Sequence, residues 1–362
     1  MTRFPLIDVL RAIAALLVLV CHVIALGEWQ FFSKSDWGLP FRQGWIGVDL
    51  FLVISGFVIT LSASRERERH PQGFQLRFML RRLRRVLPLY LLTCVVYVFL
   101  VRPEILGRPP EELLVLVLSH ALFLQNLSQN THGVFNGVTW SLALEMQFYV
   151  ALVFSIGLLL KLGAWRALLL LVSVSLAWRY GTTFMLPPGE ANPHMQFIYT
   201  TQLPGTLDAF GIGIALSLLV LNGQGFWARR LLPNWKNFLL WLLLTIGLLL
   251  VAGTLFLTWS NYWRHISMVI FWRTVLAMGF GAALAAAITC PLSGGGLLRP
   301  ICYLGKISYG IYLWHFPVLL TLLTLPGVRG GFLFLKVLVG SLMLASLSWH
   351  LMEKHWVKAP QH

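Results

Sequence analysis

The sequence predicts an all-α polytopic membrane protein with about ten transmembrane helices. Three observations carry that prediction. The 362-residue chain is 57% hydrophobic and only 11% charged, a composition that suits no soluble class. Apolar runs of about 17–25 residues recur from end to end, the length that crosses roughly 30 Å of hydrocarbon. The 28 Lys and Arg outnumber the 13 Asp and Glu, giving a net charge of +15, as expected where cations mark the cytoplasmic face. That face also suits a polyanionic cytoplasmic ligand, while nucleic acid is not expected as a partner.

In chain order the candidate spans are 6–26, 45–63, 86–101, 138–160, 166–185, 204–221, 238–258, 267–289, 303–324 and 332–350. The first follows Arg3 and imitates a secretory signal, but Asp8 and Arg11 interrupt its leading edge, so it reads as a retained span. Segment 113–127 is apolar but short for a spanning helix and is assigned as re-entrant or interfacial. With the N-terminus inside and 113–127 returning to the side it left, 19 Lys and Arg lie on or near the cytoplasmic face and 9 elsewhere. A crossing there would turn "WARRLLPNWK" and "EKHWVK" outward, against the positive-inside rule. The expectation is one membrane domain over 1–362 in the cell (inner) membrane, both termini cytoplasmic, with no appended soluble domain and no internal repeat. Nothing in the sequence fixes the oligomeric state. Cys21, Cys94, Cys290 and Cys302 lack CxxC or metal-ligand spacing and read as small core residues.

Polar residues inside the spans are the functional candidates, because ionisable groups at membrane depth are costly. In "IDVLRAIAALLVLVCH", Asp8, Arg11, Ala15, Val18 and His22 share one helical stripe. His22 lies about 21 Å along the helix from Asp8, in the outer third of the span. The second span, "GWIGVDLFLVISGFVIT", brings Asp49 in at a similar depth. Asp49 either orients the His22 imidazole or caps its own helix start. "RRLRRVLPLY" sets Arg82 and Arg85 three residues apart on a helix edge, as a lipid-headgroup anchor or as a guanidinium clamp for phosphates. "TWSLALEMQFY" puts Ser141, Glu145 and Tyr149 on one face, with Trp140 beside Ser141. Glu145 is either a structural anchor or a working carboxylate. "LGKISYGIYLWHFPV" aligns Ser308, Tyr312 and His315, with Tyr309 alongside; packing is the simpler reading there, and His315 is a secondary candidate. Glu353 in "LMEKHW" reads as a local charge partner at the inner interface. The histidines sit on different spans without ligand spacing, so no metal is expected.

Taken together, these motifs resemble the acyltransferase-3 family of integral membrane acyltransferases. The opening "IDVLRAIAALLVLVCH", then "GVDLFLVISGF", Arg82, Arg85 and Pro88 as R-x-x-R-x-x-P, "TWSLALE" and "SYGIYLWHFP" follow in the family's order, from residue 6 to about 353. One departure is "PGTLDAFGIGIAL", where Thr206 stands at a position the family usually fills with arginine. The resemblance implies transfer of an acyl group, commonly acetyl, from cytoplasmic acetyl-CoA or another acyl-CoA to a hydroxyl of an extracytoplasmic glycan or lipid-linked saccharide. It implies that His22 is the essential histidine, that Arg82 and Arg85 are the paired arginines, and that Glu145 belongs to the tryptophan-to-glutamate motif.

Joined to the reading of the residues, it gives a divided device. Arg82, Arg85 and Arg11 hold the acyl-CoA donor at the inner face, while His22, Asp49 and Glu145 work in the outer third. Asp8, Trp140, Ser141, Tyr309, Tyr312 and His315 line or support the cavity. His22 serves as general base on the acceptor or as transient acyl carrier, with the base preferred. Trp29, Trp37 and Trp45 stack sugars or form an interfacial belt among the membrane lipids. The alternative function is a proton-coupled transporter that uses His22 and Glu145 as a relay.

Overall fold

The computed structural model describes residues 4–357 except 28, 30, 32–37, 188, 190, 191, 260, 261, 293, 294 and 297. Arg3 and Trp37 lie outside the described residues. Among those described there are helices and turns and no strand. The main helices are α1 (Pro5–Leu26), α2 (Gly47–Arg69), α3 (Phe74–Val96), α4 (Pro110–Ala121), α5 (Trp140–Met185), α6 (Leu203–Asn222), α7 (Trp235–Thr258), α8 (Arg273–Thr289), α9 (Ser308–Leu323) and α10 (Gly330–Ser348).

Among the described residues, eight helical stretches are long and apolar enough to cross a membrane. The longest, α5, has 46 residues and is two helices joined at Gly163, whose φ of 73° no helix accommodates. Counting its halves separately and adding the shorter apolar helix α9 recovers the ten expected segments.

Three boundaries differ from the sequence reading. The basic stretch 64–85 is mostly helix, because α2 runs on to Arg69 and α3 begins at Phe74. Arginine and glutamate are good helix formers, so both helices outrun their apolar limits. A turn over 70–73 separates them, with Gly73 at φ 69°. Residues 113–121 belong to the 12-residue α4, which begins earlier at Pro110, and 122–127 open a loop; the helix is too short to span. Its apolar side chains Leu114, Val115, Val117 and Leu118 are exposed. Finally, 303–324 is two helices, since Leu298–Lys306 ends before α9 begins at Ser308.

The chain divides into two compact units. The first comprises residues 1–10, 49–75 and 144–299. There α2 and α6 touch backbone to backbone. A Cβ on Gly56 would sit 2.2 Å from the Phe210 carbonyl oxygen, and one on Gly213 would sit 2.1 Å from that of Val53. Such contacts hold helices together in lipid, where no hydrophobic effect drives them. The second unit comprises residues 11–48, 76–143 and 300–362. In it α9 packs along α10, and the loop from 122 to 139 is stitched to α3 and α9 by buried polar groups. Gln125 donates to Tyr90 Oη at 3.4 Å and to the Thr139 carbonyl at 3.1 Å, while Tyr90 Oη donates to the His120 carbonyl at 3.0 Å. Buried non-helical backbone needs such partners.

His120, on α4, gives this unit a measurable pH dependence. Its ring lies 4.3 Å from that of Phe135, and its Nδ1 donates to the Leu116 carbonyl at 2.8 Å. Burial pushes its pKa down to about 4, below the ordinary 6.5. The unfolded chain therefore takes up a proton that the folded chain refuses. Stability is full above pH 6.5 and falls as the pH drops toward 4. Between pH 7 and 5 the share from His120 is about 2 kcal/mol. A His120→Leu variant is expected to show a correspondingly flatter melting-temperature profile over that range.

Candidate functional site

In the second unit, α1 carries His22 and α9 carries His315. The two rings meet: His22 Nδ1 lies 3.0 Å from His315 Nε2, with ring centroids 5.2 Å apart and planes 24° from parallel. His315 is fully buried, and its Nδ1 donates to the Ile311 carbonyl at 3.3 Å. His22 is partly exposed and has the Phe316 ring edge-on at 5.2 Å.

Why α9 presents these groups follows from Pro317. Proline has no N–H, so the Leu313 carbonyl four residues earlier loses its helical donor. The Asn136 side chain replaces it, donating to that carbonyl at 3.0 Å. The next two residues continue the clamp. A Cβ on Gly137 would fall 2.5 Å from Phe316, so only glycine admits that ring. The Val138 carbonyl accepts from Tyr312 Oη at 3.0 Å. Ser141 Oγ lies 2.7 Å from the same phenol, whose ring is 5.8 Å from His315. Three consecutive loop residues thus hold the α9 segment on which His315 sits.

Other expected groups in this unit lie toward the basic end of α3. Arg82 is buried, its guanidinium 5.1 Å from the Phe78 ring centroid. Tyr309 Oη donates to the Val86 carbonyl at 2.8 Å, tying α9 to the turn just after Arg85. Glu353 is buried, accepts from Ser348 Oγ at 3.4 Å, and feels the charges of both Arg85 and Arg11. Trp140 stacks on His132 at 5.7 Å. Of the outer-loop tryptophans, Trp29 stacks on Phe334 at 5.3 Å and Trp45 donates to Gln43 at 2.7 Å.

The first unit holds Asp49, Glu145 and Asp8. Asp49, read from the sequence as orienting His22 or capping its helix, lies in the first turn of α2, and both its oxygens accept from Arg273, at 3.1 and 3.0 Å, in a pair whose side chains are each 3% exposed. A buried carboxylate takes a buried guanidinium because the fork satisfies two oxygens at once. Glu145 Oε1 accepts from Ser55 Oγ at 2.9 Å and from Tyr149 Oη at 2.5 Å. Asp8 is partly exposed in the first turn of α1.

Sequence reasoning passed over a second buried pair in this unit. Arg179 donates to Asp208, whose oxygens also accept from Thr274 Oγ1 at 2.6 Å and Ser175 Oγ at 3.1 Å. Thr206, standing where arginine was expected, turns its hydroxyl to the Leu203 carbonyl at 3.2 Å. Arg179 therefore supplies the charge that Asp208 needs from a different helix. Arginines inside the apolar runs 166–185 and 267–289 were the available signal for Arg179 and Arg273.

Among the described residues, apolar helices long enough to cross a membrane, with ionisable side chains buried among them, define the class: a polytopic all-α membrane protein. Its family follows from comparison with known proteins. The family model described as "Acyltransferase domain" matches residues 4–352, and the chain belongs to that acyltransferase-3 family. BcsY of Komagataeibacter xylinus, provisionally named a membrane-bound transacylase, is 28% identical, covering 96% of this chain and 81% of that protein. The peptidoglycan O-acetyltransferase OatA of Listeria monocytogenes is 28% identical, covering 87% of this chain and 49% of its own length. The O-acetyltransferase OatA of Staphylococcus aureus is 27% identical, covering 87% and 50% respectively. The chain thus spans about half the length of both OatA proteins. No solved structure matches it. The transferase names of these relatives lend the transporter alternative no support.

Proposed function

We propose that the protein is a membrane O-acyltransferase that moves an acyl group, most simply acetyl, from cytoplasmic acyl-CoA to a hydroxyl of an extracytoplasmic saccharide. The observation that carries this reading is the partly exposed His22 imidazole, held on its inner edge by buried His315. A neutral imidazole at membrane depth is the group that general-base attack by a hydroxyl requires. The names of the OatA relatives support an acetyl group and a glycan acceptor.

In this reading His22 accepts the acceptor's proton, and Glu145, held by Ser55 and Tyr149, is the second proton-handling group. Arg82, Arg85 and Arg11 receive the donor's phosphates, which guanidinium forks suit. Tyr309, Tyr312, Ser141, Trp140 and Asp8 are supporting groups, and Asp49 acts through the ion pair that fixes α2 to α8. The protein sits in the cell membrane with both termini cytoplasmic, an orientation supported by the 19-to-9 division of its cations.

Donor binding provides the test. Acetyl-CoA at 100 times its Kd is expected to stabilise the wild type by about 2.7 kcal/mol. An Arg82→Ala, Arg85→Ala double variant should lose most of the resulting rise in melting temperature. Equal shifts in both proteins count against arginine-held acyl-CoA.

A further inference from the structure

We infer that His315 is a positioning residue that fixes the tautomer of His22, so that Nε2 of His22 is the atom that takes the acceptor's proton. The inference rests on the acyltransferase reading for its chemistry, but its geometry is independent of it.

The positions of the hydrogens decide the tautomer of each ring. A backbone carbonyl only accepts, so the 3.3 Å contact with Ile311 puts a hydrogen on Nδ1 of His315. In a neutral ring its Nε2 then carries a lone pair. That lone pair faces His22 Nδ1 at 3.0 Å, so Nδ1 must be the donor and His22 carries its own lone pair on Nε2. The opposite tautomer would set two lone pairs against each other. Burial keeps the assignment in place: His315 is wholly enclosed, and Asn136 restores the α9 carbonyl that Pro317 leaves open one turn away. Carboxylates usually perform this orienting task in acyl transfer. Here a second imidazole does so, and Asp49 is committed to Arg273.

In the reaction the acceptor oxygen bonds to the acyl carbon while its proton passes to His22 Nε2. The thioester C–S bond then breaks, and the departing thiolate takes that proton. Charge on the intermediate imidazolium is shared through Nδ1–H with the Nε2 lone pair of His315. No metal or oxidant enters the balance.

Two substitutions separate hydrogen bonding from packing. Glutamine at 315 keeps an acceptor for His22 and a donor for Ile311; leucine keeps only bulk. His315→Leu is expected to lower kcat by on the order of 10²–10⁴-fold with KM for the acceptor little changed, while His315→Gln stays within about tenfold of wild type. Equal losses in both variants, at matched melting temperatures, overturn the inference. Nitrogen-15 NMR of histidine-labelled protein in lipid nanodiscs, with His22 assigned by difference against His22→Gln, reads the tautomer directly. The wild type and His315→Gln should show His22 protonated at Nδ1 and bare at Nε2, and His315→Leu should not. A wild-type His22 bearing its hydrogen on Nε2 sinks the proposal. The expected tautomer in a protein that transfers no acyl group would sustain the tautomer assignment and overturn the acyltransferase reading.

Discussion

Replacing His22 with alanine is expected to reduce acyl transfer by about 10²–10⁴-fold, the usual contribution of a general base, while leaving the fold intact. The side chain is partly exposed, so its removal opens no sealed cavity. Mass analysis of surface glycans from cells carrying wild-type or His22→Ala protein checks this through loss of the acyl increment. Because the covalent alternative also requires His22, the adduct separates them. An acetylated His22 trapped by mass spectrometry in the absence of acceptor would replace the base with a carrier. Unchanged glycan acylation at equal protein level would remove His22 from the chemistry altogether.

The second large effect concerns folding. Asp49 and Arg273 form a bidentate pair with side chains 3% exposed, so removing either partner strands the other in a low-dielectric setting. Loss of one partner from such a pair costs about 3–5 kcal/mol, whereas exchanging both for apolar residues of similar volume is often neutral. Arg273→Met is therefore expected to collapse the yield of folded protein, and Asp49→Leu with Arg273→Met to restore most of it. Melting curves on detergent-solubilised protein measure both. Acyl transfer by the rescued double variant would give Asp49 a purely structural role. A folded double variant with no transfer would return Asp49 to the reaction.

The spans were legible in the sequence because hydrophobicity is a property of each segment alone. Even the break in α5 is foreshadowed, since "KLGAWR" places two cations around Gly163 between two apolar runs. The partners were not legible. His22 and His315 are 293 residues apart, and Asp49 and Arg273 are 224 apart. A lone charge in an apolar run announces that a partner exists without naming it. Thus Asp49 was left between an imidazole and its own helix start, while Arg273 passed unremarked. Asn136 was hidden for a further reason: its task is set by a missing N–H on Pro317, a defect visible only once both segments are placed. By contrast Glu145 and Tyr149 stand one turn apart on α5, so their shared face could be read directly and their contact is local.

Glu353, just beyond α10, has a consequence for the proposed donor site. Arg85 and Arg11 act electrostatically on Glu353, which is 5% exposed. This arrangement lowers the cost of bringing arginines to the membrane boundary before any ligand arrives. On the proposed acyl-CoA reading, a polyanion arriving beside these arginines competes with a tethered carboxylate. Under that proposal the competition favours ligands carrying several negative charges over singly charged ones.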